Sequence, residues 1–203
     1  MVRADRKEAI IDAARDRFRR YGVRKTSMHE IAADCDLAVG TLYLYFENKD
    51  HLIVGCADDF GEKHRQKAAE ILASRLAPAD KLRRYLLSRF RAVEDTRTSP
   101  HAAEIARAVI RLRPERFEQD DLWLRANILS ILREGVSRGA FDIEDPERDA
   151  TVFLLAIKYF LPVAGMEPYQ TPTETNMCRV IEWFLEQWAA PANGSHKSDV
   201  TSP

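Results

Sequence analysis

The chain has 203 residues, 45% of them hydrophobic, enough to bury a core without disulfide or metal staples in one compact unit or two small domains sharing a junction. No stretch of about eighteen consecutive apolar residues occurs, which excludes a membrane-spanning helix, and residues 1–20 interleave charged and apolar side chains where a signal peptide would be continuously apolar. Cys35, Cys56 and Cys178 are odd in number and far apart, the pattern of reduced thiols in a cytoplasmic protein.

The net charge of −1 is unevenly spread. Residues 1–25 hold nine basic side chains against four acidic ones, a local excess of +5 that leaves −6 for the remainder. Phosphate contact needs only local positive charge, so a DNA partner is compatible with this balance, as is a helix with a solvated basic face.

Along the chain, Ile10, Ile11, Ala14, Phe18 and Tyr21 share one face of a helix predicted over 6–21, and Gly22 stands where a helix-ending residue belongs. A short helix over 27–35 is expected to start on a capping box, with Ser27 capping the amides and Glu30 returning the bond, and to carry Ile31 and Ala32 inward. Asp36 reads as the turn residue. A second short helix follows over 39–46, and Asn48 caps a long one running to 74. Proline and glycine then separate helices over 79–94, 100–111, 117–138, 146–161 and 174–189. With no two-residue alternation, the fold class is all-α, about nine helices. The tail over 191–203 is polar, rich in proline and serine, and expected to be disordered.

Two short helices joined by a tight turn after a longer helix form a three-helix helix-turn-helix unit, whose second short helix projects into a major groove. Ala32 is small where the helices cross, Leu37 plugs the turn, and Leu42 anchors the reading helix. The string Thr26-Ser27-Met28-His29-Glu30-Ile31-Ala32, with Gly40-Thr41-Leu42-Tyr43-Leu44-Tyr45-Phe46 and Asn48-Lys49-Asp50-His51-Leu52, resembles the DNA-binding domain of the tetracycline-repressor (TetR/AcrR) family. The resemblance covers roughly residues 6–53. It implies a DNA-binding domain over 1–53 and a helical effector-binding and dimerisation domain over 54–190. It further implies a homodimer on a palindromic double-stranded operator, repression relieved by a small-molecule inducer, and no cofactor or metal.

Carried over by residue, the resemblance places Thr26 and Ser27 beside a backbone phosphate at the first short helix. It turns Val39, Gly40 and Thr41 toward the groove and gives the Tyr43 hydroxyl to a phosphate. Tyr45 would reach a base edge or sugar, and Lys49 would clamp another phosphate. Packing within the helix pair is the alternative for Tyr43 and Tyr45, and a solvated surface position for Lys49. Relatives commonly carry glycine at the position of Asp36 and polar residues at those of Ala38 and Val39, while Asp34, Asp36 and Glu47 add negative charge near the expected phosphates. The reading helix also lacks Arg, Lys, Asn and Gln, so its apolar surface would meet thymine methyls. Arg3, Arg6 and Lys7 are expected as a flexible basic arm, or as solvated charge.

In the C-terminal half, residues 152–157 are apolar nearly all round, and Met177, Val180, Ile181, Phe184, Leu185 and Trp188 form a broad stripe with Trp183 off it. A four-helix interface between two copies would bury both surfaces, and a monomer core is the alternative. Phe90, Ile105, Val109, Trp123, Leu124 and Ile128 could line an effector pocket or form plain core, so no ligand-binding residue is assigned. No nucleophile elbow, P-loop, dinucleotide fingerprint or zinc-peptidase motif occurs, and the five histidines lack metal-ligand spacing, so an enzyme is not expected. A helical small-molecule carrier and a DNA-binding protein without sequence preference are the rival readings.

Overall fold

Helices account for about three quarters of the described residues, and local caps explain where several of them begin. The structure, a computed structural model, describes residues 3–162 and 170–191; apart from its first residue, the polar tail over 191–203 lies outside them. In chain order the helices are α1 (Arg3–Tyr21), α2 (Met28–Asp34), α3 (Val39–Tyr43), α4 (Lys49–Ala73) and α5 (Pro78–Arg97). They continue with α6 (Ala102–Leu112), α7 (Arg116–Ser137), α8 (Pro146–Ile157), a 3-10 turn (Lys158–Phe160) and α9 (Glu174–Trp188). Asn48 accepts the His51 amide at 2.8 Å to start α4, and Asp145 accepts those of Glu147 and Arg148 to start α8. These bonds satisfy amides that a helix start otherwise leaves open. Gly22, at φ 82°, takes the chain out of α1 in a conformation that side chains resist.

Two cores result. The first joins Ile10, Ile11, Ala14 and Phe18 of α1 to Ile31 and Ala32 of α2, Leu42 of α3, Phe46, and Leu52 and Ile53 of α4. Each fully buried aliphatic or aromatic side chain here contributes about 1.5–3 kcal/mol. Val109 of α6 completes this core from the other half of the chain. The second core holds Ala68 and Ile71 of α4, Leu82, Tyr85 and Leu86 of α5, Ile128 and Leu132 of α7, Phe153 of α8 and much of α9. The division between the cores therefore falls inside the uninterrupted helix α4.

Three expectations change. The apolar stripe of α9 is spent within its own chain: Met177, Ile181, Leu185 and Trp188 are buried, Trp188 packs on Phe153, and its indole N–H donates to Asp149 at 3.1 Å. What faces outward instead is Val152, Leu155 and Tyr159, three and four residues apart on one side of the α8 segment, with Trp183 of α9. Second, Arg6 and Lys7 are not a flexible arm: α1 begins at Arg3, and the Lys7 ammonium lies 5.8 Å from the centre of the Phe46 ring. Third, α3 stops at Tyr43, because the Leu44 and Tyr45 amides turn back three residues to Thr41 and Leu42 and swing Phe46 beneath the unit.

At the far end, the chain after α7 folds back so that the Phe141 ring lies directly over Gly135, where any Cβ would collide with it. Asp142 N–H then donates to Trp188 C=O at 2.8 Å, tying this loop to the end of α9. Gly135→Ala should therefore destabilise the protein by about 1–3 kcal/mol despite the higher helix propensity of alanine, as overpacking does. Chemical denaturation of the full chain measures this, and an alanine variant as stable as the original would show that Phe141 moves aside freely.

Candidate nucleic-acid interface and adjoining cavity

The reading unit is built from short-range bonds. Ser27 Oγ and its amide both donate to Glu30 Oε2 at 2.8 Å, and the Glu30 amide donates to Ser27 Oγ at 3.3 Å, closing a capping box. Those bonds hold the Glu30 carboxyl below its usual range. Asp36 takes a left-handed conformation at φ 53°, and the Leu37 amide returns to Ala32 C=O at 2.9 Å, which sets the angle between α2 and α3. Leu42 is fully buried and anchors α3 to the first core.

The candidate residues divide into those the fold uses and those it turns outward. Thr26 is 2% exposed and its hydroxyl donates to Gly22 C=O at 2.8 Å, so its side chain has a structural place and no path to a phosphate. Ser27 is exposed, but its hydroxyl and amide are already taken by the Glu30 carboxylate, which occupies the place proposed for an anion. Lys49 donates to Val23 C=O at 2.8 Å and Thr26 C=O at 3.0 Å, leaving one of its three N–H bonds open. Val39 and Tyr45 are half-buried against the first core, and Thr41 is half-buried. Gly40, Tyr43 and Leu44 face solvent, with Leu44 75% exposed.

Electrostatically, this surface is milder than the charge count of residues 1–25 implies. Arg17 grips Asp34 through Nε and through Nη2 at 2.8 Å and reaches Glu30 at 3.2 Å. The Asp34 carboxyl is held below its usual range by that hydrogen bond, so its charge is neutralised where repulsion of phosphate was expected. Arg15 pairs with Asp12 and Asp59, while Arg19 and Arg20 pair with Asp16.

Comparison with known proteins matches this geometry. Residues 10–56 match the family described as "Bacterial regulatory proteins, tetR family", and residues 78–181 match "Tetracyclin repressor-like, C-terminal domain". The chain belongs to the TetR family. Among similar sequences, the uncharacterized HTH-type transcriptional regulator YhgD of Bacillus subtilis is 28% identical over 154 residues, covering 74% of this chain and 79% of its own. A transcriptional regulator from Cytophaga hutchinsonii has the same fold at a TM-score of 0.75 and 22% identity, covering 90% of this chain and 97% of its own. SmeT, the repressor of a Stenotrophomonas maltophilia multidrug efflux pump, superposes at 0.66 and 18% identity, covering 97% and 96%, and has also been solved with triclosan. The chain is thus a TetR-family transcriptional regulator with a DNA-binding N-terminal unit and a helical C-terminal domain.

Beneath the reading unit lies a cavity of about 450 Å³, between α1, α4, α5, α6 and α7. Phe18 and Ile53 of the first core form one wall and Ile105 and Val109 of α6 another. Of the apolar candidates, Ile105, Val109 and Leu124 line it, whereas Phe90, Trp123 and Ile128 pack in or against the second core. Cys56 also lines it, its thiol pushed up to about 12 by burial. Arg89, His64 and Ser99 line it too, and no sequence motif marks them; the one available signal is an arginine beside Phe90 on the inward side of α5.

The two carbonyl bonds of Lys49 make a measurable distinction. Lys49→Met should cost about 1.5–3 kcal/mol of stability, the range for hydrogen bonds to a charged group, in denaturation of the full chain. Tyr43→Phe, at an exposed hydroxyl, should leave stability unchanged and weaken DNA binding. If Lys49→Met kept full stability and only lowered the salt dependence of DNA binding, the ammonium would belong to a phosphate instead.

Proposed function

We propose that this TetR-family protein is a cytoplasmic homodimeric repressor that holds a palindromic operator with one α3 from each protomer and releases it when a small molecule enters the cavity. The observation that carries this reading is the shared wall: Phe18 and Ile53 belong at once to the core of the reading unit and to the lining of the cavity. A ligand there presses on the elements that orient α3. Glu104 on α6 extends the link, accepting the Arg24 amide at 2.8 Å across the α1–α2 loop. The relation of SmeT to triclosan supports a cavity of this kind taking a small effector.

In this reading, domain 1–53 reads DNA and domain 54–190 senses and dimerises. Val39, Gly40, Thr41, Tyr43 and Tyr45 face the duplex, with thymine methyls meeting Val39 and Thr41 and a phosphate meeting the Tyr43 hydroxyl. Ser27 flanks the surface, and Lys49 bears on it through the loop whose carbonyls it holds. Gly40 supports the assignment from an unexpected side. A Cβ there would meet no protein atom within 4 Å, so nothing inside the protomer requires glycine in a helix where alanine is favoured. The requirement then comes from outside, as close approach of the duplex. Gly40→Ala should leave stability unchanged or raised by up to about 1 kcal/mol. It should also weaken binding at least about tenfold to a duplex selected from a random pool by the unaltered protein. Equal binding by both would remove α3 from the groove.

Dimerisation is supported by the outward apolar face of α8 and α9, where Leu155 is 68% and Trp183 56% exposed in the single chain. Both point away from the protomer core, so Leu155→Glu with Trp183→Glu should give soluble, folded monomers that lose tight operator binding, because one α3 covers only a half-site. Sedimentation decides the matter: a double variant that stays dimeric places the interface elsewhere.

A further inference from the structure

The cavity is mostly apolar, with Phe18, Ile53, Phe60, Val109, Phe117 and Leu124 among its walls, yet five cations also line it. Four of them are already answered by carboxylates: Arg15 by Asp59, Arg19 by Asp16 at 3.2 Å, Arg116 by Asp58 at 2.8 Å, and Lys158 by Asp121. Arg89 is different. Its Nε is buried without a hydrogen-bond partner, and no carboxylate among the described residues pairs with it. A guanidinium keeps its charge under all ordinary conditions, and leaving one of its donors buried and unmet costs about 1–3 kcal/mol or more. Folded proteins tolerate few such groups, and a ligand that arrives later is one reason for them.

Its surroundings leave room for an anion. His64, packed edge-on to Phe60 at 4.3 Å, has its pKa lowered by burial and by the charge of Arg89, so it is the neutral form that faces the cavity. Of the carboxylates on the wall, Asp121 pairs with Lys158, Asp120 lies 3.9 Å from Arg116, and Asp95 stands six residues beyond Arg89 on α5. The second buried side-chain atom without a partner among the described residues, Ser99 Oγ, also belongs to this lining. It sits in the turn just past the end of α5, and Ala92, Val93, Asp95 and Thr96 line the cavity between it and Arg89.

Resting on the reading of this cavity as the effector site, we propose that the effector is an amphipathic anion. Its carboxylate, sulfonate or phosphate head meets the unpaired Arg89, and its apolar body lies on Phe60, Phe117 and Leu124. This head placement turns an unmet donor into a charge-assisted bond beside a mostly apolar wall, which strengthens such bonds.

Two fluorescent probes that share one ring body test it: 1-anilinonaphthalene-8-sulfonate carries the anion, and N-phenyl-1-naphthylamine lacks it. Titrated into the full chain, the sulfonate should saturate one site per protomer and bind at least tenfold tighter than the neutral probe. Arg89→Met should abolish that preference while leaving the neutral probe within about twofold, and Arg89→Lys should keep part of it. Competition on the unaltered protein gives the same answer without a variant: dodecanoate should displace the sulfonate at concentrations at which dodecanamide does not. Equal affinity for charged and neutral partners, with Arg89→Met changing neither, overturns the anion while leaving an effector cavity. Failure of both probes to bind saturably overturns the cavity reading itself.

Discussion

Everything in this protein hangs on the insertion of α6 into the core of the reading unit. Three helices and the start of α4 make a unit of about fifty residues, a size at which the apolar surface buried on folding barely offsets the loss of chain freedom. Val109, with Ile105, Ala108 and Leu112 packed beside it, supplies the missing apolar face from a segment far along the chain. The reading unit is therefore not an independent module hung on a linker. Its stability and its orientation come from the same contact, so a disturbance of α6 is felt as a change in both.

This sharing explains why electrostatics plays a secondary part in positioning α3. The surplus of positive charge near the N-terminus is largely consumed in ion pairs: Arg17 with Asp34 and Glu30, Arg15 with Asp12 and Asp59, Arg19 and Arg20 with Asp16. Exposed pairs of this kind contribute little stability. Their effect is to cancel carboxylates that would otherwise repel a polyanion, and to leave the outward face of α3 nearly neutral and partly apolar.

What could be seen in the residues alone was what depends on near neighbours. The capping box of Ser27 and Glu30, the cap of Asn48, the left-handed turn at Asp36 and the end of α1 at Gly22 are settled within a few residues, and each stands where the sequence places it. Side-chain destinations that depend on distant partners could not be read. Thr26 and Lys49 look like phosphate ligands until the loop carbonyls of Gly22, Val23 and Thr26 come within reach. The α9 stripe has a helical period whether it meets its own core or a second copy, because periodicity names a face but not its partner. Arg89 was hidden for a related reason: an arginine next to a phenylalanine is unremarkable until every other cation around the same space is found to be paired.

The continuity of α4 adds a mechanical consequence. Its 25 residues contain no proline, so the helix behaves as a stiff rod from its cap at Asn48 past the cavity at Gly61 and His64. From Gly61 back to the cap is about 20 Å at the helical rise, so a tilt of five degrees about that point carries the capped end by roughly 2 Å. Hydrogen bonds tolerate only a few tenths of an ångström before they weaken. In the proposed reading the rod is a lever, one that turns a shift too small to disturb packing around the cavity into one too large for side chains seated against a rigid double helix.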